Sequence, residues 1–196
     1  MTATPTRLSK QARREQLLDT AIAIVRSEGA DGLTLPTLAE AAGVSRPIVY
    51  DHFGTRSGLL LALYRRLDER HRAATTQALR GAAPTPDEIA RVMSTAYFAC
   101  ATDMPEFNAV SAALKGNPEM EAIQHEMLDS YTDLMAAALL PHSGLTVEAL
   151  RLRCVGVLGA GEAIAAELNL GRATTTDAIT ALTDLIAGSL GTTTDR

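Results

Sequence analysis

Twenty residues near the N-terminus, Thr34 to Phe53, constrain the fold more tightly than any other stretch, because each boundary within them carries a residue suited to it. Thr34 is an N-cap, and Pro36 stands in the first turn, where the amide it lacks would have had no helical partner. Leu35, Leu38, Ala39 and Ala42 form one apolar face, small enough for a second helix to cross closely. Gly43 supplies the left-handed backbone on which helices commonly end, Val44 plugs the core, and Ser45 caps the next helix with Pro47 in its first turn. The spacing predicts helix, tight turn, helix, with the second about two turns long. In a motif of this form the N-terminal residues of the second helix meet base edges in the major groove.

The rest of the chain repeats one pattern. Leu17, Leu18, Ala21, Ile22 and Val25 recur at helical spacing, and Gly29 with Gly32 ends that helix. Thr55 can cap a long helix running to about Arg80, with Leu59, Leu60, Leu63, Tyr64 and Leu67 as its stripe. After the break at Gly81 to Pro86, further helices are predicted through Ile89 to Cys100, Glu106 to Lys115, Met120 to Ala138, Val147 to Leu168 and Thr176 to Leu190. Alanine and leucine dominate, aromatics are only 4% of residues and no strand pattern occurs, so the expected fold is all-α with about nine helices. The predicted organisation is an N-terminal three-helix domain over residues 1–54, which includes a flexible basic arm, and a larger helical bundle over 55–196. The arm, about a dozen residues with Arg7, Lys10, Arg13 and Arg14 as its charges, reads either as a groove- or phosphate-tracking element or as a plain disordered tail.

A net charge of −5 appears unsuited to a nucleic-acid binder until the chain is divided. Residues 1–80 hold 12 Arg or Lys against 8 Asp or Glu, whereas the remainder holds 6 against 15. Such a split suits one part meeting phosphates and another meeting something else, although solvated helices also carry uneven charge. Cys100 and Cys154 stand in apolar helical contexts without pairable spacing, which predicts buried, reduced thiols. The longest apolar stretch, Cys154 to Ala166, is broken by Glu162 and is too short to span a bilayer, so no membrane association and a cytoplasmic location are expected.

The block and its flanks resemble the TetR (tetracycline repressor) family of transcriptional regulators. That family is marked by a Thr before the first helix, Leu-Ala, Ala-Gly-Val-Ser, an aliphatic-Tyr pair and a His-Phe, here Thr34, Leu38-Ala39, Ala42 to Ser45, Val49-Tyr50 and His52-Phe53. The likeness runs without gaps from about Arg14 through Leu60, and the rest is similar in length and helical layout only. The resemblance implies that Arg46, Pro47 and Ile48 face bases: Arg46 suits a bidentate contact to guanine, and Pro47 and Ile48 suit a thymine methyl. Ile48 fits the core equally well by period. It also implies phosphate contacts from Tyr50, His52 and Arg56, with Thr34, Thr37 and Ser45 as further donors, although capping alone accounts for Thr34 and Ser45. Pro36 stands where some members read a base from an Arg, which shifts readout toward Arg46 and DNA shape.

Cys154 to Leu168 is apolar around nearly its whole circumference, which calls for a partner. The resemblance implies a homodimer in which the last two helices pair with their mates, through Val155, Gly159 and Ala163 on one and Ile179, Leu182 and Ile186 on the other. Two-fold symmetry then predicts a palindromic operator on double-stranded DNA, with half-sites about 34–36 Å apart. Met93, Tyr97, Met104, Phe107, Met127 and Tyr131 offer an adaptable lining for an unknown small-molecule effector, or simply core. Glu162 reads as facing that pocket, as exposed, or as paired across the dimer. By resemblance, the effector would swing the helix from Thr55 to Arg80 and lower DNA affinity, with repression the family default. An enzyme is the rival class, but no nucleophile elbow, phosphate loop or metal-spaced set occurs, so no catalytic residue, metal or cofactor is expected. A ligand sequestrator without DNA binding is the second rival.

Overall fold

The computed structural model describes residues 8–190, the side chains of residues 100–103 excepted. Arg7 and the Cys100 thiol therefore lie outside the described parts. The described residues are all-α, with no strand: α1 (Lys10–Gly32), α2 (Leu35–Ala41), α3 (Arg46–Phe53), α4 (Arg56–Gly81), α5 (Pro86–Asp103), α6 (Pro105–Ala113), α7 (Pro118–Leu139), a 3-10 turn at Leu140–His142, α8 (Val147–Asn169) and α9 (Thr175–Ser189).

Helix α1 starts earlier than its apolar period suggests. Ser9 caps it by accepting from the Ala12 amide at 3.1 Å, and Gln11 with Glu15 and Arg13 with Gln16 pair along its surface. A solvated first turn needs a cap and side-chain pairs rather than an apolar stripe. Lys10, Arg13 and Arg14 are therefore helical residues, not members of an arm. At the other end Gly29 leaves the helical conformation at φ 74 before the last turn to Gly32.

Packing divides the helices into two units. The first unit takes residues up to Leu67 together with Pro105–Met120, and the second takes Asp68–Met104 and the residues from Glu121 on. One long and two short helices make a thin core, so the first unit adds the leucines of early α4 and the inserted α6 segment. Leu17, Leu33, Leu38, Val49, Leu59, Leu63 and Val110 are fully buried in it. Glu106, 2% exposed, accepts from Arg26 of α1 at 2.6 Å, the Tyr64 and Phe107 rings lie 4.5 Å apart, and Asn117 donates to Ser57.

The second unit is built on α5, α8 and α9, around Met93, Phe98, Met135, Leu139, Leu150, Cys154, Leu158, Leu182 and Ile186. Thr85, Thr146 and Thr174 cap its helices through the amides of Glu88, Ala149 and Asp177, the last as a full capping box. Cys154 is a free, buried thiol, and desolvation pushes its pKa up, which suits an inert core role. No helix among the described residues is long and apolar enough to cross a membrane.

Candidate nucleic-acid interface

Helices α2 and α3 are joined by four residues, Ala42 to Ser45, with Gly43 at φ 63 among them. Its amide bonds back to Glu40 and the Val44 amide to Ala39, closing the end of α2. Thr34 accepts from the Thr37 amide at 3.2 Å, and the Thr37 hydroxyl accepts from the Thr34 amide at 2.9 Å. Thr37 also donates to the Gly32 carbonyl. Both threonines are thus engaged in local structure, and capping accounts for Thr37 as well as Thr34. Ser45 shows the reverse: it precedes α3 at the cap position, yet its side chain makes no cap hydrogen bond and it is exposed.

Helix α3 buries Val49 and Phe53 and turns the rest outward. Arg46, Pro47 and Tyr50 are exposed, Tyr50 at 50%. Ile48, divided by period between core and surface, is 38% exposed and is not a core residue. An eight-residue helix that presents Arg, Pro, Ile and Tyr to solvent has a surface available to a partner. The far end of α3 is braced by α1: Arg14 donates to the His52 carbonyl at 2.8 Å, and its guanidinium lies 4.9 Å over the Phe53 ring. Burial pushes the His52 pKa below its ordinary value; Asp51 opposes this, and Lys10, Arg14 and Arg13 reinforce it. His52 is half-buried and neutral at pH 7, where it can donate one hydrogen bond without adding charge.

Arg56 does not hang free as a phosphate contact. Its Nε donates to the Leu33 carbonyl at 2.9 Å and an Nη to the Ala30 carbonyl at 2.7 Å, with Asp31 3.6 Å away. The guanidinium closes the end of α1, a role favoured by the unpaired carbonyls there. Gly58 lies beside it in α4, where a Cβ would stand 2.3 Å from the Phe53 carbonyl oxygen. Any larger residue would displace the end of α3.

The seven residues expected to line an effector site do not share one environment. Met93 is fully buried core, and its carbonyl accepts from the Tyr131 hydroxyl at 3.1 Å. Tyr97 and Tyr131 are half-buried, 6.3 Å apart and edge-on, with His71 stacked on Tyr131. Met104 and Met127 are half-buried in the second unit. Phe107 belongs to the first unit, against Tyr64, and Glu162 is exposed on α8 rather than turned into a lining. His71 was not marked by any motif; its signal was only its place on the stripe opposite the exposed arginines of α4. Burial pushes its pKa down, with Asp68 opposing.

The expected pairing face splits in a similar way. Val155, Gly159 and Ala163 are exposed, as are Leu152, at 73%, and Leu185. Leu182 and Ile186, however, are 1% and 0% exposed in their own chain's core, and Ile179 is half-buried, so the α9 stripe faces inward. Helical periodicity marks α9 as apolar on one side and is silent on the neighbour that side meets. What α8 and α9 present outward is a shallow groove of about 390 Å³ lined by Gly156, Ala160, Leu185 and Gly188, among others.

Residues 17–63 match the model of the bacterial regulatory proteins of the tetR family. The matched stretch runs from α1 into the first turns of α4. Among curated TetR-type relatives, the HTH-type transcriptional regulator BetI of Burkholderia ambifaria is 35% identical over 89 residues, 45% of this chain and 46% of that protein. BetI of Burkholderia mallei is 34% identical over the same length. The chain thus spans about half the length of the curated relatives it matches. Two solved structures share the fold at low identity. The multidrug binding protein EbrR complexed with imidazole gives a TM-score of 0.68 at 21% identity with all of both chains covered. A protein of unknown function from Rhodococcus sp. RHA1 gives 0.72 at 24% identity over 96% of this chain and 99% of that one. The family is one of regulators rather than enzymes. Among the described residues, no group of three or more His, Cys, Asp or Glu is arranged to hold a metal ion.

Proposed function

We propose that this chain is a ligand-responsive transcriptional regulator that binds double-stranded DNA as a homodimer and represses from a palindromic operator until a small molecule enters its second unit. One observation carries the reading: Arg46, Pro47, Ile48 and Tyr50 are exposed together on a short helix that Val49 and Phe53 anchor from below. Arg46 reads a guanine edge, Pro47 and Ile48 meet methyl groups, and Tyr50, His52 and the free Ser45 hydroxyl meet phosphates. Homodimer pairing is supported by the exposed Leu152, Val155, Gly159, Ala163 and Leu185 of α8 and α9. Ligand response is supported by relatives of the same fold, EbrR complexed with ethidium and Bacillus subtilis FadR in complex with stearoyl-CoA. The half-buried Tyr97, Tyr131, Met104 and Met127 are the residues assigned to the effector. For the effector to act, it must bind the DNA-incompetent arrangement more tightly, since equal affinity shifts nothing. The working location of such a protein is the cytoplasm, with its DNA.

The test is selection of bound duplexes from a random pool, followed by anisotropy titration of the selected site against a scrambled one. A palindromic site and a steep negative slope of log K against log salt are expected. Arg46→Ala should relax preference at one position per half-site and cost about 1–3 kcal/mol. A flat salt response would instead favour a ligand sequestrator.

A further inference from the structure

The first turns of α1 lie beside the C-terminal end of α3. Lys10 Nζ is 3.2 Å from Asp51 Oδ2, both side chains being well exposed, and Arg14 reaches the His52 carbonyl. The acidic residues nearby are already engaged: Glu15 and Asp19 face Arg66 of α4 at 2.9 and 3.8 Å, and Asp51 faces Lys10. Arg13 donates to Gln16 and Arg14 to a carbonyl, so among the described residues these two guanidiniums have neutral hydrogen-bond partners and keep their charge. A surplus of positive charge is thus concentrated at one end of α3, in a chain whose net charge is −5.

The other end of α3 carries Arg46. From Arg46 to Asp51 the helix advances about 7.5 Å at 1.5 Å per residue, and the major groove is about 12 Å wide. A helix entering the groove by its N-terminal end therefore has its C-terminal end at the groove wall, which is made of phosphates.

We propose that Lys10 and Arg13, on the first turns of α1, form a separate phosphate-binding patch that grips the DNA backbone beside the C-terminal end of α3. Asp51 acts as its brake: it holds Lys10 and lowers the local charge until a phosphate competes for the ammonium. Arg14 belongs to the scaffold of the patch, because its guanidinium is occupied by the His52 carbonyl and the Phe53 ring. The inference rests on the DNA-binding reading above and adds contacts that carry no sequence information.

The experiment measures anisotropy binding of the full chain to a selected duplex and to a random-sequence duplex across a salt series. Lys10→Ala/Arg13→Ala should lower the slope by about 1.8, at 0.9 per phosphate, and weaken both duplexes by the same factor. Asp51→Asn should steepen the slope and tighten both duplexes, which loss of a structural ion pair would not do. Lys10→Arg/Arg13→Lys should retain the wild-type slope, as should Arg80→Gln/Arg172→Gln, which removes the same charge from the second unit. A wild-type slope in Lys10→Ala/Arg13→Ala overturns the patch while leaving the DNA reading intact. A flat response in the wild-type protein overturns both.

Discussion

Replacing Arg56 with alanine separates two roles that family likeness and geometry assign differently. The guanidinium makes two hydrogen bonds to main-chain carbonyls, at 2.9 and 2.7 Å, and its side chain is 39% exposed. Hydrogen bonds from charged groups contribute about 1.5–3 kcal/mol each when well shielded. Here water replaces part of each bond, so about 1 kcal/mol apiece is the appropriate scale. Arg56→Ala should therefore destabilise the first unit by about 2 kcal/mol, which is about a thirtyfold faster exchange of the protected α1 and α2 amides at 1.4 kcal/mol per tenfold. Hydrogen exchange read peptide by peptide is the right assay, because a single unfolding midpoint would merge the two units. The slope of DNA affinity against salt should not change. Exchange within threefold of wild type, combined with a slope reduced by about 0.9, would return Arg56 to the phosphates and refute the structural role.

Gly43→Ala meets no neighbour within 4 Å but must hold φ 63, so it should cost about 1–2 kcal/mol through the backbone alone, measured as loss of α2 amide protection. Leu182→Ala should destabilise the second unit by about 2–5 kcal/mol, whereas Leu152→Asp, at a position 73% exposed, should leave monomer stability alone and shift the mass in sedimentation toward the single chain. His71 has a pKa below its ordinary 6.5 because of burial, so in the window beneath 6.5 the unfolded chain holds a proton that the native chain lacks. Stability from this residue is complete above that pH and falls as the solution is acidified. Asp68, whose pKa is raised by burial, acts in the opposite sense in a lower window. Urea midpoints at pH 7 and 5.5 should differ less in His71→Gln than in wild type, and an unchanged difference would exclude His71 as the source.

The order and extent of the helices were legible because their ends carry local signals: Thr caps before α2, α5, α8 and α9, and glycines at 43 and 171 with positive φ. The outward face of α3 followed from the motif, and the surface position of Ile48 resolved what period alone left divided. Three matters were not legible. The start of α1 was hidden because an exposed helical turn has no apolar period. The inward facing of Leu182 and Ile186 was hidden because a stripe declares itself apolar without naming its neighbour. The engagement of Arg56 joins residues 23 and 26 positions apart, and the adjacency of Lys10 to Asp51 and of Arg14 to His52 spans about forty. Tertiary folding alone creates such encounters.

The insertion of Pro105–Met120 into the first unit has a practical consequence for anyone recombining these proteins. The unit that carries α3 is not a contiguous stretch of the chain, so it cannot be excised or grafted by one cut in the first helices. Such a cut would strand Val110, Leu114 and Met120, all buried, against a foreign α1, and would leave the Glu106 carboxylate without Arg26. A chimera that respects this architecture must exchange residues 1–67 and 105–120 as a matched set, with three junctions rather than one. Homologous segments would then be expected to co-vary across the gap, with α1 and α6 changing together while the intervening α5 drifts independently.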